Sequence, residues 1–448
     1  MEDKNHLDVL FLAYYFPPGG GAGSQRPLKF TKYFPYFNIK PIIIAGPVIY
    51  DNHFAPEDSS LCNDIPNDIQ IVRVKPTPKK IKNFIIKKSL SFFLGTTPHE
   101  SWWAKQAFIE AEKVIRVQKI DIILATLAPY CSAKVAHLLG LKYKKPWVLD
   151  LRDPWAIDEN RVYSSSLHRK IDMWRMRKEL SAASSIIMNT PQAKVHVLNA
   201  FPSLHHKKIE VITNGYDSED FQKQVQNRTD HHFRIVHTGF LHTSIGLHVK
   251  NNSWYYKILG KCPPSVNYLT RSHLFLIKAA ENLVTLFPNF LNDFELILAG
   301  HNSEEDTNII RSSTLFKNVK FLGYIPHDKT IELLKSADLL FLPMQDLPPG
   351  TKSTIVPGKT YEYIAAYRPI LAAVPDGDVC DFLLESGGNV IVKPSDITSL
   401  QKALESFYIA WQHGHSNLHH RNGDFIKRFD RRVLTEQLAS ILKNLSVK

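Results

Sequence analysis

No run of about 18 uncharged apolar residues occurs in the 448-residue chain, which excludes a spanning helix of ordinary length and leaves a soluble or membrane-peripheral protein as the expectation. Cysteine is scarce. Cys62, Cys131, Cys262 and Cys380 stand far apart, and none belongs to a Cys-x-x-Cys pair or a zinc-like spacing with histidine, so buried, reduced thiols of a cytoplasmic protein are expected. Acidic residues are in deficit, 43 against 55 lysines and arginines, and the net charge of +12 implies an anionic partner: nucleic acid, a phosphorylated substrate or an acidic lipid surface. The opening "MEDKNHLDVLFLAYYF" carries acids early and runs into Pro17, Pro18 and glycines rather than a small-residue cleavage site, so it reads as a first strand and not as a signal peptide.

What is abundant is short apolar runs alternating with helix-period segments. "DVLFLAYYF", "IKPIIIAG", "IQIVRV", "IDIILAT", "PWVLDLRD", "SSIIMNT" and "KIEVITNG" are uniformly apolar, as parallel strands covered on both faces must be. After a polar stretch, "QKQVQNRTDHH", the pattern restarts with "FRIVHTGF", "FELILAG", "VKFLGYI", "ADLLFLPM", "RPILAAV" and "NVIV". Two doubly wound α/β domains follow: residues 1–222, a linker at 223–232, residues 233–424, and a final amphipathic helix over 425–448 with Phe425, Phe429, Leu434, Leu438 and Leu442 near one face. Residues 243–268 are rich in glycine, proline and asparagine and read as a loop rather than a core element.

Three segments could carry chemistry. In "FPPGGGAGSQRPLKF" Gly19, Gly20, Gly21 and Gly23 occupy a strand-to-helix turn, a place for an anion or a sugar hydroxyl, or simply a tight turn. The next strand ends in Ala45, Gly46 and Pro47 without an acid for a ribose, which argues against NAD. In "WVLDLRDPW" Asp150, Arg152 and Asp153 lie at the end of a strand, where open α/β sheets present ligands; alternatively Asp153 caps the turn at Pro154 and Arg152 pairs with a carboxylate. In "PPGTKSTIVPGKTYEYIAAYRPILAAV" Lys359 opens a helix with Glu362 one turn on, suited to phosphate and ribose hydroxyls, or else a capped helix with an ordinary intrahelical pair. "KPTPKKIKNFIIKKSLSFFLG", within residues 75–94, is a basic amphipathic pattern for anionic headgroups or for packing on its own domain. The histidines of "HGHSNLHH", with His231 and His232, lie in polar contexts that suit surface solubility, and no metal is expected.

Taken in order, these segments resemble the GT-B retaining glycosyltransferases of family 4, which build bacterial surface polysaccharides and other glycans from UDP- or GDP-sugars. "YYFPPGGGAGSQR" looks like that family's opening loop, "LDLRDPW" like its strand end, and "VITNGYDSEDF" like its exit from the first domain. "FRIVHTGF", "FELILAG", "VKFLGYIPHDKTIELLKSADLLFLP" and "PGKTYEYIAAYRPILA" follow in the family's order, so the likeness covers nearly the whole chain. It implies two domains facing each other across a cleft, the last helix returning to the first, and retention at the anomeric carbon. It also implies a nucleotide-sugar donor, a glycan or lipid-linked acceptor, no cofactor and no nucleic acid. Gly20, Gly21, Gly23 and Gly239 would line the donor site, Arg271 would face the diphosphate and Glu362 hold the ribose. Many relatives carry two glutamates seven residues apart; the earlier position here is Thr354, so its task falls to Ser353, Thr354 or solvent. The family's phosphate-binding lysine is Lys278 or Lys359. Asp150, Arg152, Asp153, Arg271 and Lys359 form the expected catalytic set. A UDP-sugar epimerase and a GT-B scaffold without catalysis are the competing readings.

Overall fold

A strand buried on both faces has to be apolar at every position, and the central runs become such strands, while those at the edges of the sheets stay partly exposed. The computed structural model describes residues 6–48, 56–76, 97–223, 228–260, 265–414 and 421–446. The chain divides into two compact units, Met1–Asn214 with Arg431–Lys448, and Gly215–Asp430.

The first unit is built on a seven-stranded parallel sheet in the order β3-β2-β1-β4-β5-β6-β7. Its strands are β1 (Leu7–Ala13), β2 (Ile39–Ala45), β3 (Gln70–Arg73), β4 (Ile122–Leu127), β5 (Trp147–Leu151), β6 (Ser185–Met188) and β7 (Ile209–Val211). One face packs against Trp103, Ala107 and Ala111 of the helix Pro98–Val117 and Val135, Ala136 and Leu139 of the helix Cys131–Tyr143. The other is covered by Phe30 of the helix Ala22–Tyr33 and by Leu434, Leu438 and Leu442 of the helix Arg431–Ser446. Strand order reverses between β1 and β4, so the loops after these two strands open a crevice at the sheet's carboxyl edge.

The second unit repeats the plan with six parallel strands, in the order β10-β9-β8-β11-β12-β13. They are β8 (Phe233–Thr238), β9 (Phe294–Ala299), β10 (Val319–Gly323), β11 (Leu339–Pro343), β12 (Ile370–Ala373) and β13 (Asn389–Val392). Here the order reverses between β8 and β11. Among the described residues no helix is long and apolar enough to cross a membrane.

Several sequence expectations change. The boundaries between the compact units fall after Asn214 and after Asp430 rather than at 222 and 424. The reason is a long-range contact: Tyr216 donates its N–H to Phe429 O at 3.0 Å and shares one apolar cluster with Phe425 and Phe429. The terminal segment is accordingly two helices, Gly423–Lys427 and Arg431–Ser446, its phenylalanines in the core of the second unit and its leucines in that of the first. Residues 243–268 are not a plain loop but hold the helices Thr243–Asn251 and Ser253–Leu259. Gly246 makes the first possible, because a Cβ there would lie 2.5 Å from Leu269 Cα. The described part of the polar linker is anchored by Arg228, which donates to Ser336 O at 2.8 Å and pairs with Asp338 at 2.9 Å. Cys62 is exposed and Cys131 and Cys380 are half-buried, against the expectation of burial. Most of the basic segment 75–94, part of "HGHSNLHH" and Cys262 lie outside the described residues.

Candidate functional site

At the carboxyl edge of the second unit, β8 ends in His237 and Thr238, Gly239 follows, and the helix Gly358–Ala365 comes after the long loop beyond β11. One hydrogen bond fixes the two together: Thr238 donates its N–H to Tyr363 Oη at 2.8 Å. The helix begins at Pro357 without a side-chain cap and with no acid in its first turn, so its positive end is not neutralised from within. Lys359 sits at that end and turns back over β8, where its Nζ is 3.1 Å from His237 Nε2. Gly239, at φ +94°, gives it room, since a Cβ there would stand 2.9 Å from Nζ. Gly239 is itself crowded by Gly300, whose own Cβ would meet Gly239 O at 2.7 Å.

Arg271 enters from the turn that follows Tyr268–Thr270. Its backbone carbonyl accepts from His242 N–H at 2.8 Å, and its Nη1 lies 3.4 Å from Oε1 of the buried Gln345, just beyond β11. His273, two residues on, is held by Asp306, to whose backbone oxygen its Nε2 donates at 3.1 Å. Asp306 also caps its own helix, Glu304–Arg311, and accepts from Thr243, so this wall of the site is tied to the helices at 243–259.

Electrostatically the site is a positive pocket. Burial, and then the charge of Arg271, hold the Lys359 amine well below the ordinary lysine range, with Glu362 pulling the other way. His237 and His242 are both held well below the usual imidazole value, first by burial and then by the neighbouring cations, Lys359 foremost for His237 and Arg271 for His242. Both rings are therefore neutral at physiological pH. Such an edge can accept a multiply charged anion.

The structure thus brings together Gly239, Arg271, Lys359 and, one turn along the helix, Glu362. It separates Lys278, which is exposed on the helix Leu274–Leu286. Ser353 and Thr354 are buried; Ser353 donates its N–H to Asp376 O at 2.7 Å and is bridged to Gly377. His237, Gln345 and His273 were not singled out from the sequence. The only signal for His237 was its place just before a glycine at a strand end.

In the first unit the three charges of "DLRDPW" part company. Asp150 is 1% exposed and receives Arg26 through Nε at 2.9 Å and Nη2 at 2.7 Å, with Thr126 Oγ1 at 3.0 Å. Arg26 goes on to the carbonyls of Thr213 at 2.6 Å and Ile212 at 2.9 Å. Asp150 is therefore engaged in a buried ion pair, while its sequence reading placed it in the catalytic set. Arg152 is likewise engaged with backbone, donating to Leu127 O at 2.8 Å and Gly23 O at 2.5 Å instead of pairing with a carboxylate. Asp153 stays half-buried beside Asp158, whose carboxyl is pushed up to about 8 by burial and then by Asp153 and Glu159. The glycine loop is partly self-satisfied. Gly20 donates to Pro56 O at 2.6 Å, Gly21 takes φ +78° at the start of the helix, and Gly23 packs beneath Tyr15 and Arg152.

With this geometry in hand, comparison with known proteins defines the class. Residues 268–422, within the second unit, match the family described as glycosyl transferases group 1. The whole chain is similar in fold to Anabaena HepE solved with UDP and glucose, at 17% identity over 98% of this chain and 100% of that one, TM-score 0.57. It is similar also to a sucrose-phosphate synthase from Thermosynechococcus elongatus, at 12% identity over 99% and 100%, TM-score 0.64. A glycosyltransferase from Rickettsia africae gives 16% identity over 98% and 99%, TM-score 0.61. No curated protein matches the sequence. The fold is GT-B, two Rossmann-like domains, and the family match lies within the second.

Proposed function

We propose that this chain is a glycosyltransferase that takes a sugar from a UDP- or GDP-sugar, binding the donor's diphosphate at the edge formed by β8 and the helix Gly358–Ala365. One observation carries the reading: Lys359, Arg271 and an uncapped helix start converge on the switch point of a nucleotide-type sheet, inside the segment that matches a glycosyltransferase family. As the glycosidic bond breaks, negative charge collects on the departing diphosphate, and these groups stabilise it in place of a metal ion. Glu362, one turn into the helix, would accept hydrogen bonds from the ribose hydroxyls. Retention, by attack on the face the leaving group departs from, and a glycan or lipid-linked acceptor in polysaccharide synthesis rest on the family-4 resemblance. A cytoplasmic location rests instead on the scarce, widely spaced cysteines, and peripheral contact with an anionic membrane on the basic amphipathic pattern of residues 75–94.

The experiment is turnover of UDP- and GDP-sugars over a panel of acceptors by R271A, K359A and E362A. A loss of 10²-fold or more in kcat/KM for either cation variant, as removal of a charge-stabilising group produces, supports the site; undiminished rates in all three reject it. A scaffold that binds donor without turnover is the second reading, favoured by the buried Thr354 standing where many relatives place a glutamate. Donor binding with no nucleotide release on any acceptor would select it.

A further inference from the structure

We propose that His237 is a positioning residue for donor binding: its Nε2 lone pair holds Lys359 Nζ at the strand edge, aiming the ammonium at a donor phosphate without cancelling its charge. The inference rests on the reading of Lys359 as a diphosphate ligand. His237 is 1% exposed, and both ring nitrogens are engaged, Nδ1 with Phe341 O at 3.0 Å and Nε2 with Lys359 Nζ at 3.1 Å. A carbonyl oxygen can only accept, so Nδ1 carries the proton. Nε2 then has a lone pair to offer, and Lys359 supplies the donor. An imidazolium would instead set two donors and two positive charges 3.1 Å apart, so the partners fix both the tautomer and the neutral state.

A cation drawn partly out of water, as the half-buried Lys359 is, is ordinarily paired with a carboxylate. Lys359 makes no ion pair among the described residues. A carboxylate at position 237 would orient the amine equally well and neutralise it, whereas an imidazole orients it and leaves the whole charge for the ligand. The titratable groups facing this contact are Arg271, His242, His273 and Glu362, and only Glu362 is acidic. Gly239 leaves the amine its room, since a Cβ there would stand 2.9 Å from Nζ.

Two substitutions separate the bonds. H237N keeps an amide N–H for Phe341 O but is too short to reach Lys359; H237Q extends an acceptor to it. Calorimetric titration of UDP and GDP into the full-length wild type, H237N, H237Q, K359A and H237N/K359A decides the matter. H237N should weaken binding about tenfold, the loss of one hydrogen bond to a charged group. H237Q should restore binding to within about threefold of wild type, and H237N should cost nothing further in the K359A background. In parallel, the ¹⁵N shifts of His237 in the wild type should show a neutral ring protonated on Nδ1 between pH 6 and 8. Equal affinities for H237N and wild type, or an Nε2-protonated ring, overturn the inference while K359A still weakens binding. If K359A binds as the wild type does, or the wild type binds neither nucleotide, the site reading falls and this inference with it.

Discussion

Replacing Asp150 with alanine tests whether the first unit spends this residue on structure. The carboxylate and Arg26 are each 1% exposed, and the pair is joined by Nε and Nη2, with Thr126 as a third donor. Without Asp150 the guanidinium keeps the carbonyls of Ile212 and Thr213 but remains a buried charge with no counter-ion. Breaking a buried pair from one side costs about 3–5 kcal/mol. Asparagine keeps one acceptor oxygen and should cost roughly half of that. Urea unfolding followed by tryptophan fluorescence suits the question, because Trp102, Trp103, Trp147, Trp155 and Trp174 report on the first unit and Trp254 and Trp411 on the second. With a slope of about 2–3 kcal/mol per molar, the first-unit midpoint of D150A should fall by roughly 1.5 M. UDP affinity in native buffer should stay within about twofold of the wild type, since the donor groups belong to the other unit. The double variant R26M/D150L should recover most of the loss, because apolar side chains of similar volume remove the unpaired charge. A midpoint for D150A within about 0.2 M of the wild type would refute the reasoning, and abolished turnover at an unchanged midpoint would return Asp150 to the catalytic set.

Three further outcomes follow from the same structure. Donor affinity should fall as pH rises through the lowered Lys359 value, well under the ordinary lysine range, because only the ammonium attracts phosphate; K359R, charged throughout, should flatten the titration curve of UDP binding. Asp158 carries a raised carboxyl in the folded chain, about 8, so its contribution to stability is full below its unfolded value near 4 and is lost as pH climbs to about 8. D158N still accepts the Asn160 N–H, and should flatten the slope of urea midpoints across that window and be the more stable protein at its upper end. G239A places a methyl group against Lys359 Nζ on a backbone at φ +94°, and should weaken UDP binding several-fold with a stability loss of about 1–2 kcal/mol, read by titration and thermal melting; unchanged affinity would mean that Lys359 need not occupy its observed place.

Much of the fold was legible. The runs quoted from the sequence coincide with β1 through β13, because a strand covered on both sides declares itself by continuous apolarity. Helices at 243–259 were missed, since glycine and asparagine read as loop signals while the packing of Gly246 on Leu269 is invisible in one dimension. The nearly regular apolar spacing of the terminal segment predicts one continuous helix, whereas the helix breaks at residues 428–430, where Phe429 O accepts from Tyr216, more than 200 residues upstream.

Composition and local order by themselves determined two α/β units, a positive balance of charge, and a lysine with a glutamate one turn apart at the start of a helix. These are properties of neighbours along the chain, and periodicity and charge record them directly. Tertiary structure alone decided that Asp150 closes on Arg26, 124 positions away, and that Lys359 rests on His237, 122 positions away. Partners at such separations are chosen by strand order, and strand order is settled by which apolar faces cover one another, not by any pattern within a single segment.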